Sequence, residues 1–144
     1  MSEANKALAI RFIEAFSRGD AEATAACLAA EAVVHSKGFG KLSGTRTFEF
    51  IVGTAGAFKD VMPGGLNPQF GWVQGEGEHV ACEFTGRATL ANGVEYNNDY
   101  CFTFRIRDGL IREVHEYYCT LLADERVLPL LADIEAKRLA AAGA

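Results

Sequence analysis

The chain has 144 residues, 49% of them apolar and 23% charged, which is enough for one core and too short to suggest two, so a single domain over 1–144 is expected. Its net charge of −5, without a basic run, argues against a nucleic-acid-binding surface. Charges scattered through the amino-terminal "MSEANKALAIRFIEAF" argue against a signal peptide or membrane span, so a cytoplasmic setting is expected.

Within residues 3–18, Leu8, Ala9, Phe12, Ile13 and Phe16 form one apolar stripe, the pattern of an amphipathic helix that ends at Gly19. Asp20 can accept the free amide hydrogens of a first helical turn and so caps a short second helix, "AEATAACLAA". A strand follows at "AVVHS" (32–36). The glycines of "KGFGKLSGT" match neither G-x-G-x-x-G nor G-x-x-x-x-G-K-[ST] and read as a connecting loop. Thr45 is expected to cap a third helix running to about Val61, where "MPGG" stops it.

From there the period changes to two. "FGWVQ", "HVACEFTGRATL", "VEYNNDYCFTFRI" and "LIREVHEYYCTLL" read as strands separated by "GEGE", "ANG" and "RDG" turns. Residues 123–144 return to helical spacing through Val127, Leu130, Leu131 and Ile134, with an alanine-rich end expected to fray. The fold class is α+β: a curved antiparallel sheet packed on three N-terminal helices, with a C-terminal helix.

Turn geometry decides which side chains share a face. A two-residue loop at Asn92-Gly93 opposes Ala91 to Val94 and places Glu83, Thr85 and Arg87 opposite Phe102, Tyr100 and Asn98. At "IRDGLI" a two-residue loop would bring His115 and Tyr117 to the side of Tyr100 and Phe102, whereas a three-residue loop would bring Glu116 and Tyr118 there. We take the three-residue loop, closed by a left-handed glycine after a type I turn, which opposes Asn98, Tyr100 and Phe102 to Tyr118, Glu116 and Val114.

The order "IRFIEAFSRGDAEATAACLAAEAVVHS" and then "NGVEYNNDYCFTFRIRDGLIREVHEYYCT" resembles the cone-shaped fold of the nuclear transport factor 2-like superfamily, particularly SnoaL-like proteins, over roughly residues 5–128. That superfamily includes polyketide cyclases, limonene epoxide hydrolase, ketosteroid isomerase, scytalone dehydratase and members that only bind or dimerise. The resemblance implies a carboxylate pointing into the cone at Glu116, a polar residue at the pocket mouth near His35 and Ser36, and a homodimer made through the outer sheet face. Ketosteroid isomerase would call for a tyrosine where Phe12 stands and an aspartate near Ser36. Epoxide hydrolase would call for an arginine and an aspartate at Glu83 and Thr85. Neither set is present.

The expected inner wall is therefore Glu83, Thr85 and Arg87; Asn98, Tyr100 and Phe102; Val114, Glu116 and Tyr118. Phe12 and Phe16 roof it and Trp72 closes one end, an apolar cavity with a few convergent polar groups. Burial of a carboxylate there raises its pKa toward the range useful for proton transfer. Glu83 and Arg87 are equally readable as an ion pair in the wall. Of His35 and Ser36, alternation lets one point inward. Asn97, Asp99, Thr103, Arg105, Glu113, His115 and Tyr117 belong to the outer face. Three histidines without an i, i+4 pair show no metal-ligand spacing, and Cys27, Cys82, Cys101 and Cys119 show no C-x-x-C, so neither metal nor organic cofactor is expected.

These features point to a small-molecule acid/base enzyme, a cyclase, isomerase or hydratase acting on a mainly apolar or aromatic molecule. Glu116 would be the proton acceptor, Tyr100 and Asn98 would orient a substrate oxygen, and Phe102 and Tyr118 would hold the apolar body. The alternative is a non-catalytic ligand-binding or dimerisation module.

Overall fold

Leu8, Ala9, Phe12 and Ile13 form the buried stripe of α1 (Ser2–Ser17) in a computed structural model that describes residues 2–143. Asp20 Oδ1 accepts the Ala23 amide hydrogen at 2.9 Å and caps α2 (Ala21–Cys27). That helix is shorter than its alanine content suggests. The chain becomes extended at Leu28, which pairs with Ile111, so sheet pairing overrides the helix propensity of the alanines in β1 (Leu28–Ser36).

Thr45 is not a helix cap. It lies in β2 (Gly44–Thr47) opposite His35, and α3 (Phe48–Val61) starts directly afterwards without a side-chain cap bond. The remaining strands are β3 (Gln69–Glu76), β4 (His79–Thr89), β5 (Glu95–Arg107) and β6 (Leu110–Tyr118). The six strands form one sheet in the order β2-β1-β6-β5-β4-β3. Every neighbouring pair is antiparallel except β1 with β6, which runs parallel. At the C-terminus a break at Val127 separates α4 (Thr120–Arg126) from α5 (Leu128–Gly143). Pro129 in the first turn of α5 suits a helix start, where its missing amide hydrogen costs nothing. The alanine-rich end expected to fray is helical to Gly143.

The sheet's concave face packs on α1, with Phe12 meeting Phe104 edge-on at 5.9 Å between ring centres. Phe104, Ile106, Ile111 and Val114 are almost fully buried beneath it. Each such side chain contributes about 1.5–3 kcal/mol relative to exposure.

Both hairpins differ from expectation in loop length. At "LANGV" Leu90 accepts from Gly93 and donates to Val94, each at 2.8 Å, and Gly93 is left-handed at φ 84°, which makes a three-residue loop. The partner of Tyr100 is consequently Phe84 and that of Phe102 is Cys82. Glu83, Thr85 and Arg87 are turned to the outer face.

At "IRDGLI" the loop is the two residues Asp108 and Gly109, both left-handed at φ 53° and 73°, and Arg107 pairs with Leu110. A bulge at Arg112 then shifts the register, so that Arg105 pairs with Glu113, Phe102 with Glu116, and Tyr100 with Tyr118. The extra residue restores the face that the shorter loop would have inverted. Glu116 therefore points inward, though opposite Phe102 rather than Tyr100.

Candidate functional site

The concave face and the helices enclose a cavity of about 440 Å³. Phe12 and Phe16 from α1, Phe58, Val61 and Met62 from the α3 end, Phe84, Tyr100 and Phe102 from the sheet, and Leu131 from α5 supply its apolar lining. Ser36, Arg46 and Glu116 are polar groups on that lining, and Tyr118 adds a phenol. The space is of the size and character that small organic molecules occupy in proteins.

Glu116 is placed by two pairings at once. Its antiparallel partner Phe102 lies on one side, and on the other the parallel β1–β6 register brings Ser36 alongside. The Ser36 hydroxyl donates to Glu116 Oε1 at 2.9 Å. No described residue donates to Oε2 within hydrogen-bonding distance. The carboxyl's remaining accessible surface lines the cavity, and protein otherwise surrounds it. That desolvation pushes its pKa up to about 7, against the opposing pull of the Ser36 hydrogen bond and the Arg46 cation. Burial, followed by the charge of Glu116, also raises the phenol of Tyr118, while Tyr100 is raised well above the ordinary tyrosine value chiefly by burial.

Arg46 did not emerge from sequence reading. Its partner in the β1–β2 pairing is the fully buried Val34, so it shares the inward face of β2 with Gly44. Its guanidinium carbon stands 5.6 Å from the centre of the Phe50 ring. Nη1 is buried and lacks any hydrogen-bond partner, the sole side-chain atom in that condition among the described residues. The strand is four residues long and mostly exposed, too short to show an alternation that would reveal it.

Five of the residues expected at the cavity lie elsewhere. Glu83 and Arg87 are on the outer face, where no ion pair joins them among the described residues; Thr85 Oγ1 there donates to Asp99 Oδ1 at 3.0 Å. Trp72 is also outside and 41% exposed, because a bulge at Gly71 shifts the β3 register and makes Glu83 its partner. Asn98 is buried on the inner side, but its bonds are taken: Nδ2 donates to Tyr96 Oη and to the Cys119 carbonyl, and Oδ1 accepts from the amides of Asp99 and Cys119. It holds the start of β5 to the end of β6 and does not line the cavity.

His35 points outward, and Ser36 takes the inward position. Across the parallel pairing His35 meets His115 with ring centres 4.7 Å apart. Both Nε2 atoms approach Glu113 Oε1, at 3.3 and 2.8 Å, and His35 Nδ1 lies 2.9 Å from Thr45 Oγ1. The hydrogen bond from His115 is the main cause that lowers the pKa of Glu113. These three donor atoms lie within 4.8 Å of one another and are the described residues best placed to hold a metal ion. Arg105, 3.6 Å from the other oxygen of Glu113, competes for that carboxylate. Sequence spacing could not show the cluster, since the two strands that build it are about 80 residues apart in the chain.

The family profile of the SnoaL-like domain matches residues 9–114. The chain belongs to the SnoaL-like family. No curated protein sequence matches it significantly. Among solved structures, this SnoaL-like chain is similar to Bal32a from a soil-derived mobile gene cassette, at TM-score 0.75 and 19% identity over 88% of this chain and 98% of that one. It is likewise similar to TerC co-crystallised with polyporic acid, at TM-score 0.72 and 18% identity over 86% and 98% of the two chains. A third, from Catenulispora acidiphila, has a ketosteroid isomerase-like fold in complex with trimethylamine, at TM-score 0.67 and 16% identity over 77% and 84%. At these identities the likeness establishes the SnoaL-like α+β cone fold and leaves chemistry to the site. No helix among the described residues is long and apolar enough to cross a membrane.

Proposed function

We propose that this SnoaL-like chain is an acid/base enzyme that moves a proton on a largely apolar, oxygen-bearing small molecule held in the cone. The observation that carries the reading is Glu116: an inward carboxyl with one oxygen tethered by Ser36, the other open, and a pKa pushed up to about 7. Near neutral pH such a group is available both as base and as acid, the condition for efficient proton transfer. The C–H bond next to a substrate carbonyl breaks as its proton passes to Glu116 Oε2, and the electron pair moves onto the carbonyl oxygen. Return of the proton at another atom completes an isomerisation. Attack of the enolate carbon on a second carbonyl of the same molecule, whose π pair moves onto its oxygen and takes the proton back from Glu116, instead completes a cyclisation. Asn98 takes no part, because its hydrogen-bonding capacity is used by the backbone and Tyr96. Tyr100 and Phe102 hold the apolar body.

A ketone with activated hydrogens, 2-tetralone, tests this directly through solvent deuterium uptake followed by NMR. Native protein should accelerate uptake, and E116Q, which keeps the shape but removes the base, should lose about 100-fold or more of that acceleration. Equal rates in the two proteins would refute the assignment. Binding of the ketone without any accelerated uptake would favour the carrier reading.

The homodimer belongs to the same proposal. Trp72 and Tyr117 are 41% and 46% exposed on the outer sheet face, beside a depression of about 730 Å³. This aromatic, mixed-polarity surface suits a second copy of the chain. Sedimentation of W72E/Y117E as a monomer beside a dimeric native protein would support it, and a monomeric native protein would exclude it.

A further inference from the structure

The cavity contains a second polar element that the proton-transfer reading leaves without a task. Glu116, Ser36 and Gly44 lie in one row across three adjacent strands, since Ser36 is the partner of both of the others. Arg46 is two residues along β2 from Gly44, and its side chain folds back over that glycine. A methyl group at position 44 would stand 3.2 Å from Nη1 and 3.8 Å from the guanidinium carbon. A side chain at 44 would therefore press on the guanidinium, which lies in the space beside that glycine.

In that space the cation has no anion. No carboxylate among the described residues comes within 4 Å of it, and its buried Nη1 donates to nothing. Leaving a charged donor unsatisfied in an apolar wall is costly. Glu116 feels the charge of Arg46 but makes no hydrogen bond or close ion pair with it, its Oε1 accepting from Ser36 instead. Two strand spacings, roughly 9–10 Å, separate the backbones of β2 and β6. Between the two side chains lies cavity.

We propose that Arg46 anchors an anionic oxygen of the ligand, so that the cavity takes a flat, mainly apolar molecule bearing one acidic oxygen, a carboxylate or an ionised enol or phenol, facing both Arg46 and Glu116. This rests on the reading of the cavity as the substrate site. A guanidinium is the side chain suited to the task, because its planar fork meets a carboxylate or enolate with charge-assisted hydrogen bonds and stays charged at every working pH. The guanidinium lies over Phe50, and Arg46 forms part of the cavity lining.

Two probes of the same shape separate this from apolar binding: 2-naphthoate and 2-naphthamide, titrated calorimetrically into native protein, R46M, R46K and E116Q. Native protein should prefer the naphthoate by about tenfold, the difference expected between a charge-assisted and a neutral hydrogen bond. R46M should abolish that preference while binding the amide within about twofold of native, R46K should retain part of it, and E116Q should keep it. Equal binding of the two probes by native protein, or an undiminished preference in R46M, overturns the anchor while leaving the acid/base role of Glu116 standing. Binding of neither probe to native protein overturns both readings.

Discussion

Ser36 donates its hydroxyl hydrogen to Glu116 across the one parallel pairing of the sheet, so the residue that ends β1 tethers the carboxyl of the residue near the end of β6. The hydrogen bond favours the ionised carboxyl, whereas desolvation disfavours it and wins.

Removing that donor has a definite sign. In S36A the carboxylate loses its stabilising partner, and the pKa of Glu116 should rise further above 7 by about one pH unit, given the usual strength of a hydrogen bond to a charged group. Side-chain carbon NMR of labelled glutamate reads this without any substrate. The pH at which tetralone exchange reaches half its maximum should move up by the same amount. An unchanged or lowered pKa would contradict the tether.

Glu116 also links stability to pH. Its folded pKa of about 7 lies above the ordinary 4.5, so the folded state holds its proton more tightly than the unfolded state. Stability from this group is fully present below pH 4.5, declines as pH rises, and levels off above about 7. Replacement by a neutral amide removes the dependence. E116Q should therefore gain on native protein progressively through that interval and exceed it above pH 7 by about 2 kcal/mol, discounted for water in the cavity. Urea unfolding at pH 5, 6, 7 and 8 measures the trend, and a constant difference would contradict it.

Asn98 acts on stability rather than chemistry. N98A leaves the Cys119 amide without its partner. It also removes one of two hydrogen bonds at both the Cys119 carbonyl, to which Ala123 also donates, and the Tyr96 hydroxyl, to which Tyr100 also donates, and should cost about 2 kcal/mol in urea unfolding. Where the folded protein is in excess, the pKa of Glu116 should stay at its native value. A thermodynamically silent N98A would remove Asn98 from its bridging role.

Gly86 is required for space. A methyl group there would come within 2.6 Å of Leu66, whose carbonyl accepts from the Arg87 amide and ties the segment after α3 to the sheet. G86A should destabilise by about 1–3 kcal/mol, and G86A/L66A should lose less than the two single changes added together. Strict additivity would mean that the two residues do not compete for the same volume.

The elements with a strong period were legible. The α1 stripe, the four long strands and the inward facing of Tyr100, Phe102, Glu116 and Tyr118 can be read from the chain, as can the Asp20 cap. Loop lengths were not, because Asn-Gly and Asp-Gly both serve two- and three-residue turns, and the molecule uses the longer loop at Asn92-Gly93 and the shorter at Asp108-Gly109. The first difference turned Glu83 and Arg87 outward. The second was cancelled by the extra residue at Arg112, so Glu116 faces the cavity by a different route from the one expected. Trp72 faces outward through the bulge at Gly71, and no local pattern announces such an insertion. Arg46 and the His35–Glu113–His115 cluster depend on pairing between distant segments, which single-chain periodicity does not contain.

The bulge at Arg112 works as a parity switch written in length rather than in chemistry. Ironing out the bulge with every residue kept would leave composition, helix content and hydrophobic pattern untouched, yet rotate the rest of β6 by half a turn and offer His115 and Tyr117 to the interior. A relative with a gap at position 112 would instead keep Glu113 opposite Arg105 and Glu116 opposite Phe102, with the acid still inside. For this architecture, locating the bulge between the last hairpin and the acid is as informative as identifying the acid itself.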